Sequence, residues 1–267
     1  MPTSGIPVNT PAKEQIMLQA VSAARKGRGF VAPNPCVGAV LTLDGRIVAS
    51  GYHQRYGGDH AEVEVINTAR KMGIDLKQTV LWVTLEPCNH TGKTPPCTLA
   101  ILEAGIPRVV VGTRDPNPGV KGGGIEFLRS GSVEVETGVA EQACLDLIRD
   151  FLVRRTRHRP FVILKLASTL DGKIGTRNSD SFWITGSEAR REVHRMRAEV
   201  NAVLVGGRTF FSDNPGLDCR DAESPGLTQP LALVVSSELP REPSDFNLLR
   251  QRPEQTIFLR SEERRVG

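Results

Sequence analysis

The 267-residue chain is poor in most features that mark a specialised class. It has five cysteines, Cys36, Cys88, Cys97, Cys144 and Cys219, odd in number and irregularly spaced. That argues against a secreted disulfide scaffold and fits a reducing compartment. No run approaches the roughly 18 apolar residues of a membrane span. The opening Met1 to Thr10 is polar and Pro-rich, without the apolar core of a secretory signal, so the expected location is cytoplasmic and no membrane partner is expected. Net charge is only +4, with both signs spread along the chain. A dedicated nucleic-acid binder would show a clustered basic face, so none is expected as partner, whereas a phosphorylated small molecule remains compatible. The length suits two domains of about 100–200 residues each.

What is present is an alternation of strands and helices. Thr10-Pro11 opens a helix whose apolar positions, Ile16, Met17, Ala20, Val21 and Ala24, recur at helical spacing. Cys36 to Leu43 reads as a buried strand, Asp44-Gly45 as a hairpin turn and Arg46 to Ser50 as the returning strand. Helices are expected from His60 to Met72, Thr98 to Ala104, around Glu126 to Arg129, and from Glu141 to Arg155. Strands are expected over Thr79 to Leu85, Pro107 to Gly112 and Val133 to Glu136. This order predicts an α/β sandwich, with a largely parallel sheet beyond the first hairpin. The basic stretch Arg154 to Pro160 ends it as a solvated helix end and linker. A second set follows: a strand over Phe161 to Leu166, a helix over Ser187 to Ala198, and strands over Ala202 to Val205 and Leu231 to Val235.

The chemistry concentrates in His60-Ala61-Glu62, Pro87-Cys88 and Cys97. One imidazole, two thiols and a neighbouring carboxylate are the parts of a zinc site that activates water for hydrolytic deamination. His60, Cys88 and Cys97 are the candidate ligands, and Glu62 the candidate proton carrier, as base and then acid. A zinc deaminase signature of H-x-E with P-C-x-x-C is matched in its first half, while the second half has a much wider gap between cysteines. A closed structural zinc site is the alternative, with His90 or His53 as fourth ligand.

The flanking residues carry a resemblance. Asn34-Pro35-Cys36-Val37-Gly38, His60-Ala61-Glu62 and Thr84 through Cys97, with Thr94-Pro95-Pro96-Cys97 closing the wide gap, resemble the bifunctional deaminase-reductase family of riboflavin biosynthesis. Asp115-Pro116-Asn117-Pro118 and the glycines at 122 to 124 add to it. The resemblance implies a cytidine-deaminase-like three-layer α/β/α domain over 1–157. It also implies zinc-dependent deamination of a diaminopyrimidinone carrying a ribosylamino 5-phosphate, with Asn34 holding the pyrimidine. By residues alone, Asn34-Pro35 reads equally well as a turn.

Past the linker, Lys165 to Ile174, Ser181 to Gly186, Asn201 to Thr209 and Asp213-Asn214-Pro215 resemble the reductase half of the same family. That implies a dihydrofolate-reductase-like α/β domain using NADPH to reduce the ribosyl group to ribityl. Lys165 and Asp213 would flank the reacting sugar, with Ser181, Arg197, Leu217 and Arg220 on the substrate. Ala167, Trp183, Thr209, Asp213 and Ser237 would lie along the cofactor. Ser236 and Pro240 depart from the family's common Asp and Arg. The domain, 158–259, reads as incomplete. The closing Arg260 to Gly267 is the in-frame reading of a common sequencing-adapter sequence, so residues 260–267 are expected to be a non-native tail. A homo-oligomer is compatible with the sequence. Two other functions stay open: a nucleoside or RNA-base deaminase with an unrelated appendage, and a silent zinc-stabilised binding protein.

Overall fold

A computed structural model of the chain describes residues 10–115, 123–176, 183–220 and 228–260. It divides into two compact units, Met1–Ile163 and Leu164–Gly267. Ser181, Pro116 to Pro118, Gly122 and the tail 261–267, all singled out above, lie outside the described residues.

The first unit is built on five strands: β1 (Gly38–Leu43), β2 (Arg46–Tyr52), β3 (Val80–Leu85), β4 (Arg108–Thr113) and β5 (Glu134–Thr137). Their order is β2-β1-β3-β4-β5. The β1 pairings are antiparallel, and β3-β4-β5 run parallel. Asp44 and Gly45 both take positive φ, 49° and 76°, the turn that matches the strands' twist and joins β1 to β2.

Helices cover both faces: α1 (Thr10–Arg25), α2 (Ala61–Lys71), α3 (Cys97–Glu103), α4 (Gly124–Ser130), α5 (Glu141–Leu147) and α6 (Arg149–Arg157). Strand alternation explains the division. Ala39, Leu41, Leu81, Val83, Val109 and Val111 point to one side and pack with Val65, Ile66, Ile101, Ile125 and Leu128 of α2, α3 and α4. Val40, Trp82 and Val110, one residue out of step, meet Met17, Ala20, Val21 and Cys144 of α1 and α5 on the other. The result is the expected three-layer sandwich. Gly38 is required where α1 crosses β1, because a Cβ there would stand 2.1 Å from the Ala20 carbonyl.

The second unit holds a parallel sheet, β6 (Ala202–Gly206), β7 (Leu231–Val235) and β8 (Thr256–Leu259), in that order, with α7 (Ser187–Ala198), α8 (Gly207–Asp213) and α9 (Asn247–Gln251). One side of the sheet has a core of Phe210, Leu217, Ala232, Val234 and Leu248, with Phe246 stacked on Phe210 at 4.6 Å between ring centroids. The other side leaves Leu204, Leu231, Val235, Ile257 and Leu259 exposed.

Two expectations are corrected. Phe161 to Leu166 is not a strand; it pairs with no ladder among the described residues, and Leu164 is 81% exposed. Its β-prone composition cannot act without a neighbouring strand to hydrogen-bond it. The helix expected from Glu141 to Arg155 breaks at Ile148, which leaves helical geometry at φ −108°, ψ 20°.

Candidate metal centre and pocket

The metal-ligand candidates come from three separate elements. His60 is the residue before α2, in extended conformation at φ −75°, ψ 163°. Cys88 follows the end of β3, and Cys97 begins α3. The sheet's carboxyl edge and two helix starts therefore converge. The ligand atoms of the three residues all lie within 4.8 Å of one another. His60 Nδ1 is 3.2 Å from Cys97 Sγ and 3.5 Å from Cys88 Sγ. Tetrahedral zinc with its usual N and S bond lengths would set such edges at about 3.5 Å, so the donor set fits zinc in kind and spacing. Neither His90 nor His53 belongs to the cluster.

Without metal, the cluster shares its protons unevenly. The Cys97 thiol donates to Cys88, the Cys97 backbone N–H lies 3.3 Å from Cys88 Sγ, and His60 adds to both. Together these draw the Cys88 thiol down to about 4. The same partnership, with burial, pushes Cys97 upward. Hydrogen bonding to Cys88 raises His60. Glu62, in the first turn of α2, is 3% exposed. Burial first, then the Cys88 charge, pushes its carboxyl up to about 7.

These groups open on a cavity of about 300 Å³ whose lining includes Asn34, His53, Tyr56, His90, Lys93, Glu86 and Arg155. Glu86 is buried and accepts from the backbone N–H of Asp115 and of Ile125, both at 3.2 Å. Lys93 places its ammonium 4.1 Å from the centre of the Tyr56 ring. Sequence reading missed His53, Tyr56, Glu86 and Arg155 as pocket residues. Arg155 was hidden in the basic run taken as a helix end, and Glu86 by its place beside a metal-ligand candidate. Gly124 also has a definite reason: a Cβ there would stand 2.1 Å from the Pro87 carbonyl, just before Cys88.

Comparison with known proteins gives this arrangement its family. Residues 10–113 match the cytidine and deoxycytidylate deaminase zinc-binding region, and residues 160–266 match the RibD C-terminal domain. The riboflavin biosynthesis protein RibD of Aquifex aeolicus is 44% identical over 247 residues, covering 92% of this chain and 68% of that protein. The chain belongs to the RibD family. RibD of a Synechocystis species is 45% identical over 84% of this chain and 59% of its own length. The crystal structure of the Thermotoga maritima diaminohydroxyphosphoribosylaminopyrimidine deaminase/5-amino-6-(5-phosphoribosylamino)uracil reductase aligns with a TM-score of 0.86 at 46% identity, covering 95% of this chain and 71% of that one. The chain thus spans between 59 and 71% of these relatives. It carries a zinc-binding region of the cytidine and deoxycytidylate deaminase type joined to a RibD C-terminal domain, and no helix among the described residues is long and apolar enough to cross a membrane.

The residues expected in the RibD reductase half are placed unevenly. Thr209 and Asp213 are on α8, and Ser237 follows β7; both elements meet at the carboxyl edge of the parallel sheet, where open α/β sheets bind ligands. Arg197 donates to the Asp218 carbonyl at 3.1 Å and Arg220 pairs with the Asp218 carboxylate at 2.7 Å, so these two arginines gather around one residue. Leu217 is buried in the core. Trp183 is exposed, with the Arg190 guanidinium 4.2 Å from its ring centre. Lys165 and Ala167 sit in the irregular segment before α7.

Proposed function

We propose that the first unit hydrolytically deaminates the diaminopyrimidinone that carries a 5-phosphoribosylamino group, with His60, Cys88 and Cys97 holding zinc and Glu62 moving the protons. The observation that carries the reading is the convergence of one imidazole nitrogen and two sulfurs beside a buried carboxylate, in a pocket walled by the residues between the two cysteines. Zinc bound there supplies a water whose pKa falls to about 7. Glu62 would take one proton from such a water and pass it to a ring nitrogen as the oxygen adds to the amidine-like carbon. It would then take the remaining proton from the hydroxyl so formed and deliver it to the amino nitrogen, so that the C–N bond breaks, ammonia leaves and the carbon keeps its oxygen as a carbonyl. A carboxyl that can hold a proton near neutral pH suits both halves of this cycle. Asn34 contacts the pyrimidine from the pocket wall.

The domain boundary falls at 157/158. In the second unit, Lys165 and Asp213 flank the sugar, Ser181, Arg197, Leu217 and Arg220 contact substrate, and Ala167, Trp183, Thr209 and Ser237 line NADPH. The two arginines offer fixed forks of donors to a phosphate. The protein works in the cytoplasm on this small phosphorylated substrate, alone or as a homo-oligomer.

The test is ammonia release from the diaminopyrimidine phosphate by the full chain and by Glu62→Gln, with zinc content measured in both. A loss of at least about 100-fold with zinc retained is expected. Unchanged release would remove Glu62 from the mechanism, and turnover of cytidine or adenosine instead would assign a nucleoside deaminase.

A further inference from the structure

His53 is 2% exposed and lines the same pocket, yet it lies outside the His60, Cys88 and Cys97 cluster and has no role in the chemistry above. Its backbone N–H donates to the Val37 carbonyl at 2.9 Å, which ties the chain leaving β2 to the chain entering β1. Its ring has partners on both nitrogens. Nδ1 lies 2.8 Å from the Asp59 carbonyl oxygen, and Nε2 lies 3.1 Å from Asn34 Nδ2.

The first contact fixes the tautomer. A carbonyl oxygen can only accept, so the Nδ1 proton must be present. A neutral imidazole carries one N–H, so Nε2 presents a lone pair. The atom of Asn34 that faces Nε2 must then be the amide nitrogen, which donates. An amide has two ends, and fixing one fixes the other: Oδ1 becomes the Asn34 atom offered to a ligand. Burial of the ring, which leaves it little water to exchange with, keeps this arrangement in place.

We propose that His53 is a positioning residue that locks the Asn34 amide with its oxygen toward the pocket, so that the site selects a hydrogen-bond donor, a ring N–H or amino group, on the pyrimidine. The inference rests on the reading that Asn34 contacts substrate. The chain of contacts runs Asn34 to His53 to the Asp59 carbonyl, and the next residue is His60. The ring-recognition end of the pocket and the metal end are therefore registered to each other through one imidazole. If His53 is removed, the amide can rotate, and part of the population presents its NH2 group to a substrate donor.

The test is a mutant cycle in the full chain. His53→Phe keeps an aromatic ring but removes both nitrogens; His53→Gln keeps one donor and one acceptor. Against the diaminopyrimidine phosphate, His53→Phe should raise KM roughly 2- to 10-fold, the worth of one hydrogen bond, with kcat changed less. His53→Gln should restore most of the loss. In an Asn34→Ala background His53→Phe should add nothing further, because its effect passes through Asn34. Nitrogen NMR of the imidazole should show a protonated Nδ1 and an unprotonated Nε2, a readout independent of turnover. An additive effect in the Asn34→Ala background, or the opposite tautomer, overturns the proposal. An unchanged KM for Asn34→Ala itself overturns the substrate contact on which it stands, and is read separately from the His53 result.

Discussion

Cys88 Sγ lies 3.5 Å from His60 Nδ1 and also takes the proton of the Cys97 thiol as a hydrogen bond, so in the metal-free chain one thiolate is shared by two donors. Zinc needs two thiolates and a neutral imidazole. Cys88 is already ionised at neutral pH, whereas Cys97 and His60 are both shifted toward their protonated forms. Zinc binding should therefore release protons near neutral pH, one from the Cys97 thiol and a further share from His60. Because protons and metal compete, zinc affinity should rise with pH. Calorimetry in buffers of different ionisation enthalpy measures the release; a count near zero would mean that the ligands are already deprotonated.

The Cys88 shift also sets a stability window for the metal-free chain. Its folded pKa, about 4, lies below its ordinary value of 9.0. A depressed acid stabilises the fold fully above the ordinary value, and that contribution is lost as pH falls toward the folded one. Glu62 acts in the opposite sense. Its folded value, about 7, is above the ordinary 4.5, so ionising it between these limits costs stability. The Cys88 contribution is common to both proteins, so Glu62→Gln should gain melting temperature relative to the unsubstituted metal-free chain as pH rises from 4.5 to 7. An identical pH dependence in both proteins would contradict this.

Gly124→Ala places a methyl group against the Pro87 carbonyl, where 2.1 Å is available. The backbone must move, at a cost of about 1–3 kcal/mol. Since Pro87 precedes Cys88, zinc should also bind less tightly. Thermal unfolding and zinc titration should change together; a normal melt with normal zinc affinity would show that α4 can shift freely.

How much of this was legible in sequence depends on the range of the interaction that decides it. The first hairpin was, because Asp44-Gly45 specifies its own turn. The metal cluster was, because His60, Cys88 and Cys97 carry distinctive chemistry. The Phe161 to Leu166 strand was misread because a strand is decided by its neighbour, and Ile148 broke a helix whose composition continues through it. His53 read only as a spare ligand: its role depends on Asn34 and Asp59, and nothing in a lone histidine announces which carbonyl will fix its tautomer.

The exposed side of the second unit's sheet predicts behaviour in solution. Leu204, Leu231, Val235, Ile257 and Leu259 form an uncovered apolar patch. The chain should self-associate with rising concentration, and Leu204→Lys with Ile257→Lys should reduce light scattering while leaving deaminase turnover intact. Limited proteolysis should cut near Arg159 and leave a zinc-retaining fragment. A monodisperse full chain with a single cooperative melt would oppose both expectations.

The wide spacing between Cys88 and Cys97 has a consequence for how such a site can diversify. His90, Gly92, Lys93 and Thr94, all between the two cysteines, face the cavity. One loop is thus anchored at each end by a metal-ligand candidate and spends its middle on the ligand. Its interior can be exchanged as a cassette, altering which molecule is admitted without redrawing the centre that performs the hydrolysis.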